Sequence, residues 1–177
     1  MPAIADARIL MIATDGFEDS ELLDTRKRLL AAGARVTLAA LEVKQIKGDL
    51  GGTIMPDTAI DDVETENFDG LVLPGGVASP DKLRMNATVV ETVHAFNRAG
   101  KPIAAICHGP WLLAEADIVR GRTVTCWPSI RTDLRNAGAE IVDRAAVTDA
   151  NLVTSRKPED IPAFTEAFIN LVEAAGP

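Results

Sequence analysis

Lys101-Pro102-Ile103-Ala104-Ala105-Ile106-Cys107-His108-Gly109-Pro110 reads as a buried strand that stops at a cysteine and turns at once into a helix. Within it, Ala105-Ile106-Cys107-His108-Gly109 has the spacing small-x-nucleophile-x-small. That is the pattern of a strand-to-helix nucleophile elbow with cysteine in place of serine. So tight a turn needs flanking residues without bulk, because the backbone approaches itself there and the nucleophile adopts a strained conformation.

Working outward, the chain alternates strand and helix on both sides of this elbow. Arg8 to Ala13 is a short apolar run ending at Asp15-Gly16. Glu18 to Ala32 then carries Leu22, Leu23, Leu29 and Leu30 on one helical side before Gly33, and Arg35 to Leu41 is β-rich. Residues Glu42 to Pro56, with Gly48, Gly51 and Gly52, break the pattern and read as a hairpin or excursion from the main sheet. Asp69 to Leu73 resumes as a buried strand and stops at Pro74-Gly75-Gly76.

Asp81 to Arg98 holds one or two helices with Val89, Val90, Val93 and Phe96 as the buried stripe, and Ile103 to Ile106 is the next strand. Residues 108 to 118 restart a helix. Thr123 to Cys126 is a short strand, Ile130 to Asn136 a helix, and Ala145 to Val147 and Leu152 to Thr154 two further strands. Ile161, Phe164, Phe168 and Leu171, at steps of three, four and three, mark the last helix. Continuous apolar strands, each followed by a helix, predict an α/β sandwich whose mostly parallel sheet is covered on both faces. A chain of 177 residues suits one such domain, spanning 1–177.

In such sheets ligands sit beyond the carboxyl ends of the strands. Three strand ends carry unusual residues here: Asp15 to Asp19, Pro74 to Gly76, and Cys107 to Gly109. A free thiol with a pKa of about 8.5 is only a few per cent ionised at pH 7. Lowering it to about 6 requires roughly 3.4 kcal/mol of preferential thiolate stabilisation. The end of the helix after Cys107 supplies about 0.3 to 2 kcal/mol, so a second donor is needed. His108 as imidazolium is one candidate, with its orientation set by a carboxylate elsewhere. Glu18, Asp19 and Asp81 are the carboxylate candidates. Glu18 is placed to be a hydrogen-bond donor to thiolate or a general acid or base, or else only a first-turn acid that steadies a helix. Gly75 and Gly76 form either a plain loop or, with the His108 amide, an anion hole.

Several function classes are disfavoured. A formal net charge of −8, with no basic stripe interleaved with aromatics, argues against nucleic acid as the main partner. No apolar run approaches the roughly 18 to 20 residues that span a bilayer. Met1-Pro2-Ala3-Ile4-Ala5-Asp6 lacks a basic signal-peptide region, so a cytoplasmic protein without membrane association is expected. Two cysteines, at 107 and 126, make neither a disulfide framework nor a zinc site, and no cofactor or metal is expected. Cys126 reads as a small buried hydrophobe, His94 as a half-buried or surface helix residue, and Trp111 as a packing or interface residue.

Taken together, Asp15-Gly16-Phe17-Glu18-Asp19-Ser20-Glu21-Leu22, Leu71-Val72-Leu73-Pro74-Gly75-Gly76, Ala105-Ile106-Cys107-His108-Gly109-Pro110, Arg120-Gly121-Arg122, Asn136-Ala137-Gly138-Ala139 and Val153-Thr154-Ser155-Arg156 resemble the DJ-1/PfpI superfamily over nearly the whole chain. The resemblance is to its PfpI-like branch of stress proteins and intracellular peptidases. It implies a flavodoxin-like sandwich, with Cys107 as elbow nucleophile, Glu18 as the protonated carboxyl on its sulfur, and Gly76 with His108 as anion-binding amides. It also implies self-association as a dimer, or a hexamer of dimers, in which an acidic residue of a neighbouring subunit completes His108. Asp81 stands at that acidic position, with a shorter side chain than the glutamate of some relatives. Trp127 stands where many relatives place a tyrosine beyond the following strand, and the chain contains no tyrosine.

Three readings of function follow. In the first, Cys107 adds to a reactive carbonyl such as a 2-oxoaldehyde or its protein adduct, and Glu18 with His108 moves the protons that release a hydroxy acid. In the second, the same thiolate cleaves peptides, with His108 protonating the leaving amine and Asp81 of a neighbour orienting it. In the third, Cys107 is a redox sensor in a chaperone-like stress protein, oxidised without turnover. The first ranks highest, because amide hydrolysis asks most of the His108–Asp81 pair.

Overall fold

The computed structural model describes residues 3–175. In chain order its elements are β1 (Arg8–Ile12), α1 (Asp19–Ala31), β2 (Arg35–Ala40), β3 (Ile46–Lys47), β4 (Thr53–Ile54), β5 (Thr58–Ala59) and β6 (Gly70–Leu73). There follow α2 (Ala78–Leu83), α3 (Ala87–Arg98), β7 (Ile103–Ile106), α4 (Pro110–Glu115), β8 (Thr123–Val124) and α5 (Arg131–Asn136). The chain closes with β9 (Glu140–Ile141), β10 (Ala146–Asp149), β11 (Leu152–Ser155) and α6 (Ile161–Ala174).

Seven strands form the main sheet in the order β10-β11-β7-β6-β1-β2-β5. All neighbouring pairs are parallel except β10–β11 at one edge. This is the mostly parallel sandwich that the uninterrupted apolar strands predict. β3 and β4 make a separate antiparallel hairpin, the excursion expected between Glu42 and Pro56. β5 and β9 are two-residue strands too short to leave a periodic signal.

Alternate strand residues divide the core between the two faces. Ile9, Met11, Val72, Ala104 and Ile106 pack with Leu22 and Leu29 of α1 and with Phe164 and Phe168 of α6. Leu10, Ile12, Leu71, Leu73, Ile103 and Ala105 pack with Val89, Val93 and Phe96 of α3 and with Leu112, Leu113 and Leu134 of α4 and α5. Burying each such side chain is worth roughly 1.5 to 3 kcal/mol before chain entropy is charged against it.

Two helical readings are corrected in detail, and a third, left open between one helix and two, is decided. The buried stripe of α1 is Glu21, Leu22, Thr25 and Leu29, whereas Leu23 is half-buried and Leu30 is 42% exposed. Leu30 follows Leu29 by one residue, about 100° around the helix, which turns it away from the sheet. In α6 the stripe continues four residues from Phe168 to Val172 rather than three to Leu171, which is half-buried. The segment from Asp81 to Arg98 is two helices, divided where Asn86 caps α3 by accepting from the Val89 N–H at 3.0 Å.

β1 leads to β2 and then β5 on one side, and the chain returns through β6 to the other side of β1. The order therefore reverses between β1 and β6, which is where open α/β sheets form ligand crevices. Among the described residues, no helix is long and apolar enough to cross a membrane.

Candidate active site

Beyond this reversal point the ends of β1, β6 and β7 interlock through their backbones. The Glu18 N–H donates to the Gly75 carbonyl at 3.1 Å. Gly76 has φ +87°, and a Cβ there would stand 2.6 Å from the Glu18 nitrogen. A Cβ on Gly75 would stand 2.7 Å from the Cβ of Cys107. Glycine at 75 and 76 is therefore required by close approach and, at 76, by backbone conformation as well.

Cys107 is the first residue after β7 and has φ +63°. A non-glycine residue held in this left-handed region costs about 1 to 3 kcal/mol, which its surroundings must offset. Its N–H donates to the Ser155 carbonyl at 3.0 Å and its carbonyl accepts from the Trp127 N–H at 2.9 Å, which pins the turn on both sides. α4 begins at Pro110, three residues on, so the side chain of Cys107 stands free of the helix that follows.

The carboxyl at the sulfur belongs to Glu21, not to Glu18 as expected. Glu18 is the N-cap of α1: its Oε2 accepts from the Glu21 N–H and from the Ser20 hydroxyl, both at 2.7 Å. A capping side chain folds back over the first turn and is thereby committed to the helix. Glu21, at the third helical position, lies on the buried face with Leu22, Thr25 and Leu29 and is fully buried. Its Oε2 accepts from the Gly75 N–H at 2.9 Å. Its Oε1 is buried with no hydrogen-bond partner. An orphaned buried oxygen is costly as a carboxylate acceptor and suits a carboxyl that carries its own proton.

The electrostatics agree. Burial, reinforced by the charge of Glu18, raises Glu21 to about 8, while the neighbouring Cys107 thiol and the Gly75 N–H oppose the rise. At pH 7 the carboxyl is therefore mostly protonated. Burial and then the negative charge and hydrogen bonding of Glu21 push the Cys107 thiol up, whereas the N–H groups of Gly76 and His108 pull it down. Glu21 and Cys107 thus titrate as a pair. Placing the shared proton on Glu21 removes the charge that opposes thiolate and provides an O–H donor for it.

Of the expected anion-binding amides, Gly76 and His108 face the sulfur, while the Gly75 N–H is spent on Glu21. His108 is buried, and its Nδ1 lies 3.3 Å from the Cys107 sulfur. Burial lowers its pKa and so disfavours the imidazolium, while the charge of Asp49 opposes that shift. Asp81 is exposed in the first turn of α2, and among the described residues no carboxylate hydrogen-bonds either ring nitrogen of His108. Instead Nε2 lies 3.4 Å from the Ser129 hydroxyl.

Two tryptophans flank this imidazole. Trp127, 37% exposed, has its ring centroid 6.2 Å away at an interplanar angle of 26°. Trp111 meets it edge-on at 5.0 Å and is held by a 2.9 Å hydrogen bond from its indole N–H to Asp133. Trp111 is therefore part of the site's surroundings as well as a packing residue. Cys126 is fully buried, and burial raises it to about 11. A separate cavity of about 740 Å³ lies between α1 and the start of α6, away from Cys107, with Lys27, Arg28, Ile161 and Pro162 in its wall. Among the described residues no three His, Cys, Asp or Glu side chains gather as a metal-binding set.

Glu21 had a readable signal, since it precedes Thr25 and Leu29 by four and eight residues and so shares their helical face. Ser129 had none, because it lies in the short 3-10 turn Pro128–Ile130, whose path depends on tertiary contacts.

Comparison with known proteins matches residues 7–171 to the model of the DJ-1/PfpI family. The chain is 43% identical over 170 residues to protein/nucleic acid deglycase 2 of Escherichia coli, covering 94% of this chain and 98% of that one. It is 41% identical over 167 residues to the putative cysteine protease YraA of Bacillus subtilis, covering 94% and 98%. Among solved structures, Drosophila melanogaster DJ-1beta superposes with a TM-score of 0.87 at 30% identity, covering 96% of this chain and 95% of that one.

Proposed function

The chain belongs to the DJ-1/PfpI family, in its PfpI-like branch, and from that premise we propose that it is a cysteine hydrolase acting on reactive 2-oxoaldehydes or glycated protein adducts, glyoxalase- or deglycase-like, through the Cys107 thiolate. The observation that carries this reading is the buried Glu21 carboxyl, raised to about 8 beside the sulfur with one oxygen unpartnered. Addition of a thiolate to an aldehyde needs a proton for the new alkoxide, and the following steps need that proton moved. A carboxyl poised near pH 7 suits both tasks.

Sγ attacks the aldehyde carbon, and its π pair passes to oxygen, which takes the proton of Glu21 to give a hemithioacetal. Glu21, now carboxylate, removes the hydrogen from that carbon. A proton returned to the adjacent carbonyl carbon completes an internal exchange: the first carbon is oxidised, the second reduced, and no external oxidant enters. The resulting thioester is hydrolysed by water, releasing a 2-hydroxy acid and the thiol. His108, 3.3 Å from the sulfur, serves the proton transfers between oxygens, and the Gly76 and His108 amides hold the negative charge as it moves.

The peptidase reading draws on the similarity to the putative cysteine protease. It asks more of His108, which must become imidazolium and then protonate a leaving amine. Burial works against that charge. A neighbouring subunit's Asp81 would supply compensation in a dimer or hexamer, and exposed Val77 and Met85, on either side of Asp81, are apolar surface of the kind such an assembly covers. The proposed setting is cytoplasmic.

Incubation with methylglyoxal tests the proposal. Wild-type protein is expected to form lactate and Cys107→Ala none above the buffer rate. Equal lactate in the two samples would sink it, and cleavage of a denatured protein abolished by His108→Ala and by Asp81→Ala would favour the peptidase instead.

A further inference from the structure

The imidazole of His108 has two nitrogens, and each faces one group of this chain. Nδ1 is 3.3 Å from the Cys107 sulfur and Nε2 is 3.4 Å from the Ser129 hydroxyl. The edge-on Trp111 and the near-parallel Trp127 flank the ring, and Trp111 is itself held by Asp133 and by the Arg84 guanidinium 5.4 Å from its ring centroid. Asp49, on the loop between β3 and β4, is the charged group that raises the imidazole's pKa against burial, and the Cys107 sulfur is in direct contact with the ring.

We propose that Ser129 is a positioning residue that lets His108 carry protons as a neutral ring, by following it between its two tautomers. When the sulfur is thiolate, Nδ1–H donates to it and Nε2 accepts from the Ser129 O–H. When the sulfur takes the proton of Glu21, S–H donates to Nδ1, and the single ring proton, exchanged through solvent, sits on Nε2 and donates to the Ser129 oxygen. A hydroxyl both donates and accepts, so it matches either arrangement by rotation about one bond. A carboxylate partner only accepts, and would favour imidazolium instead. Burial of the ring, which opposes the charged form, fits the hydroxyl.

This inference rests on the reading of Cys107 and His108 as the reacting pair, but it is tested without turnover. The chain has two histidines, so long-range nitrogen-proton correlation spectra of the wild type, Ser129→Ala, Ser129→Thr and Ser129→Asp resolve His108 once His94→Gln assigns the other. At pH 7 the wild type is expected to show a neutral ring with Nδ1–H predominating. Ser129→Ala should move the Nε2 resonance of His108 as its hydrogen bond is lost, Ser129→Thr should restore it, and Ser129→Asp should raise the ring's pKa. In turnover of methylglyoxal, Ser129→Ala should lower kcat by about 3- to 10-fold with KM little changed. Identical Nε2 resonances in wild type and Ser129→Ala, or a wild-type ring already imidazolium at pH 7, would overturn the proposal. If methylglyoxal is not consumed, the Nε2 resonance still upholds or refutes the role of Ser129, while the proposed reaction fails separately.

Discussion

Glu21 holds the Gly75 N–H at 2.9 Å with one carboxyl oxygen and keeps the other buried and unpartnered beside Cys107. The same hydrogen bond ties the first helix to the loop after β6, so it serves both the reactive geometry and the docking of α1. Changing Glu21 therefore separates proton transfer from charge stabilisation. Glu21→Gln keeps a donor for thiolate but cannot give up and recover a proton. It is expected to lose about 10²- to 10⁴-fold in kcat for 2-oxoaldehyde turnover. Alkylation of Cys107 by iodoacetamide should stay within tenfold of wild type, and a parallel loss of both would show that Glu21 acts only on the charge.

The raised pKa of Glu21 makes stability depend on pH. Folding holds a proton on this group that the unfolded chain releases near 4.5, so the stabilisation is fully present below about 4.5 and is lost as pH rises through about 8. Urea midpoints of Cys107→Ala, compared with Cys107→Ala/Glu21→Gln so that the thiol does not compete, should fall between pH 5 and pH 8 in the first protein. That component of the slope should be absent from the second.

Glu18, by contrast, is a cap. Glu18→Ala removes the acceptor for the Glu21 N–H and the Ser20 hydroxyl and should cost about 0.5 to 2 kcal/mol of stability. Glu18→Gln retains an acceptor but not the charge that helps raise Glu21. Turnover of this variant is expected to have its pH profile moved to lower pH, without the collapse in kcat predicted for Glu21→Gln.

Gly75 tests the close approach of β6 and β7. A methyl group there would meet the Cys107 Cβ and the Glu21 carboxylate together. Gly75→Ala should destabilise the fold by about 1 to 3 kcal/mol. It should also slow Cys107 alkylation, which denaturant titration and iodoacetamide kinetics would report.

The fold was legible because strands buried on both faces leave continuous apolar runs, and Ile103–Ile106 is a strand with the bounds its sequence suggests. The short strands Thr58–Ala59 and Glu140–Ile141 were not legible, since two residues carry no period. In the site, the spacing around Cys107 marked the elbow, whereas Gly75 and Gly76 stayed open between a plain loop and an anion hole until the resemblance pointed to Gly76. Choosing between Glu18 and Glu21 required knowing which carboxylate the helix start consumes, because both lie within one turn and only their angular position separates them. Ser129 reaches His108 only through the tertiary path of a 3-10 turn. Asp81 was expected to meet His108 from a neighbouring subunit; within one chain it is exposed in α2, and the Ser129 hydroxyl lies near Nε2.

At neutral pH Glu21 holds a proton beside the Cys107 sulfur. The infrared difference spectrum between wild type and Glu21→Gln at pH 7 measures this directly. A protonated-carboxyl carbonyl band is expected in the wild type that disappears in the variant and is lost from the wild type above about pH 8. Carboxylate bands at pH 7, with no carbonyl band assignable to Glu21, would show that carboxyl ionised and contradict it.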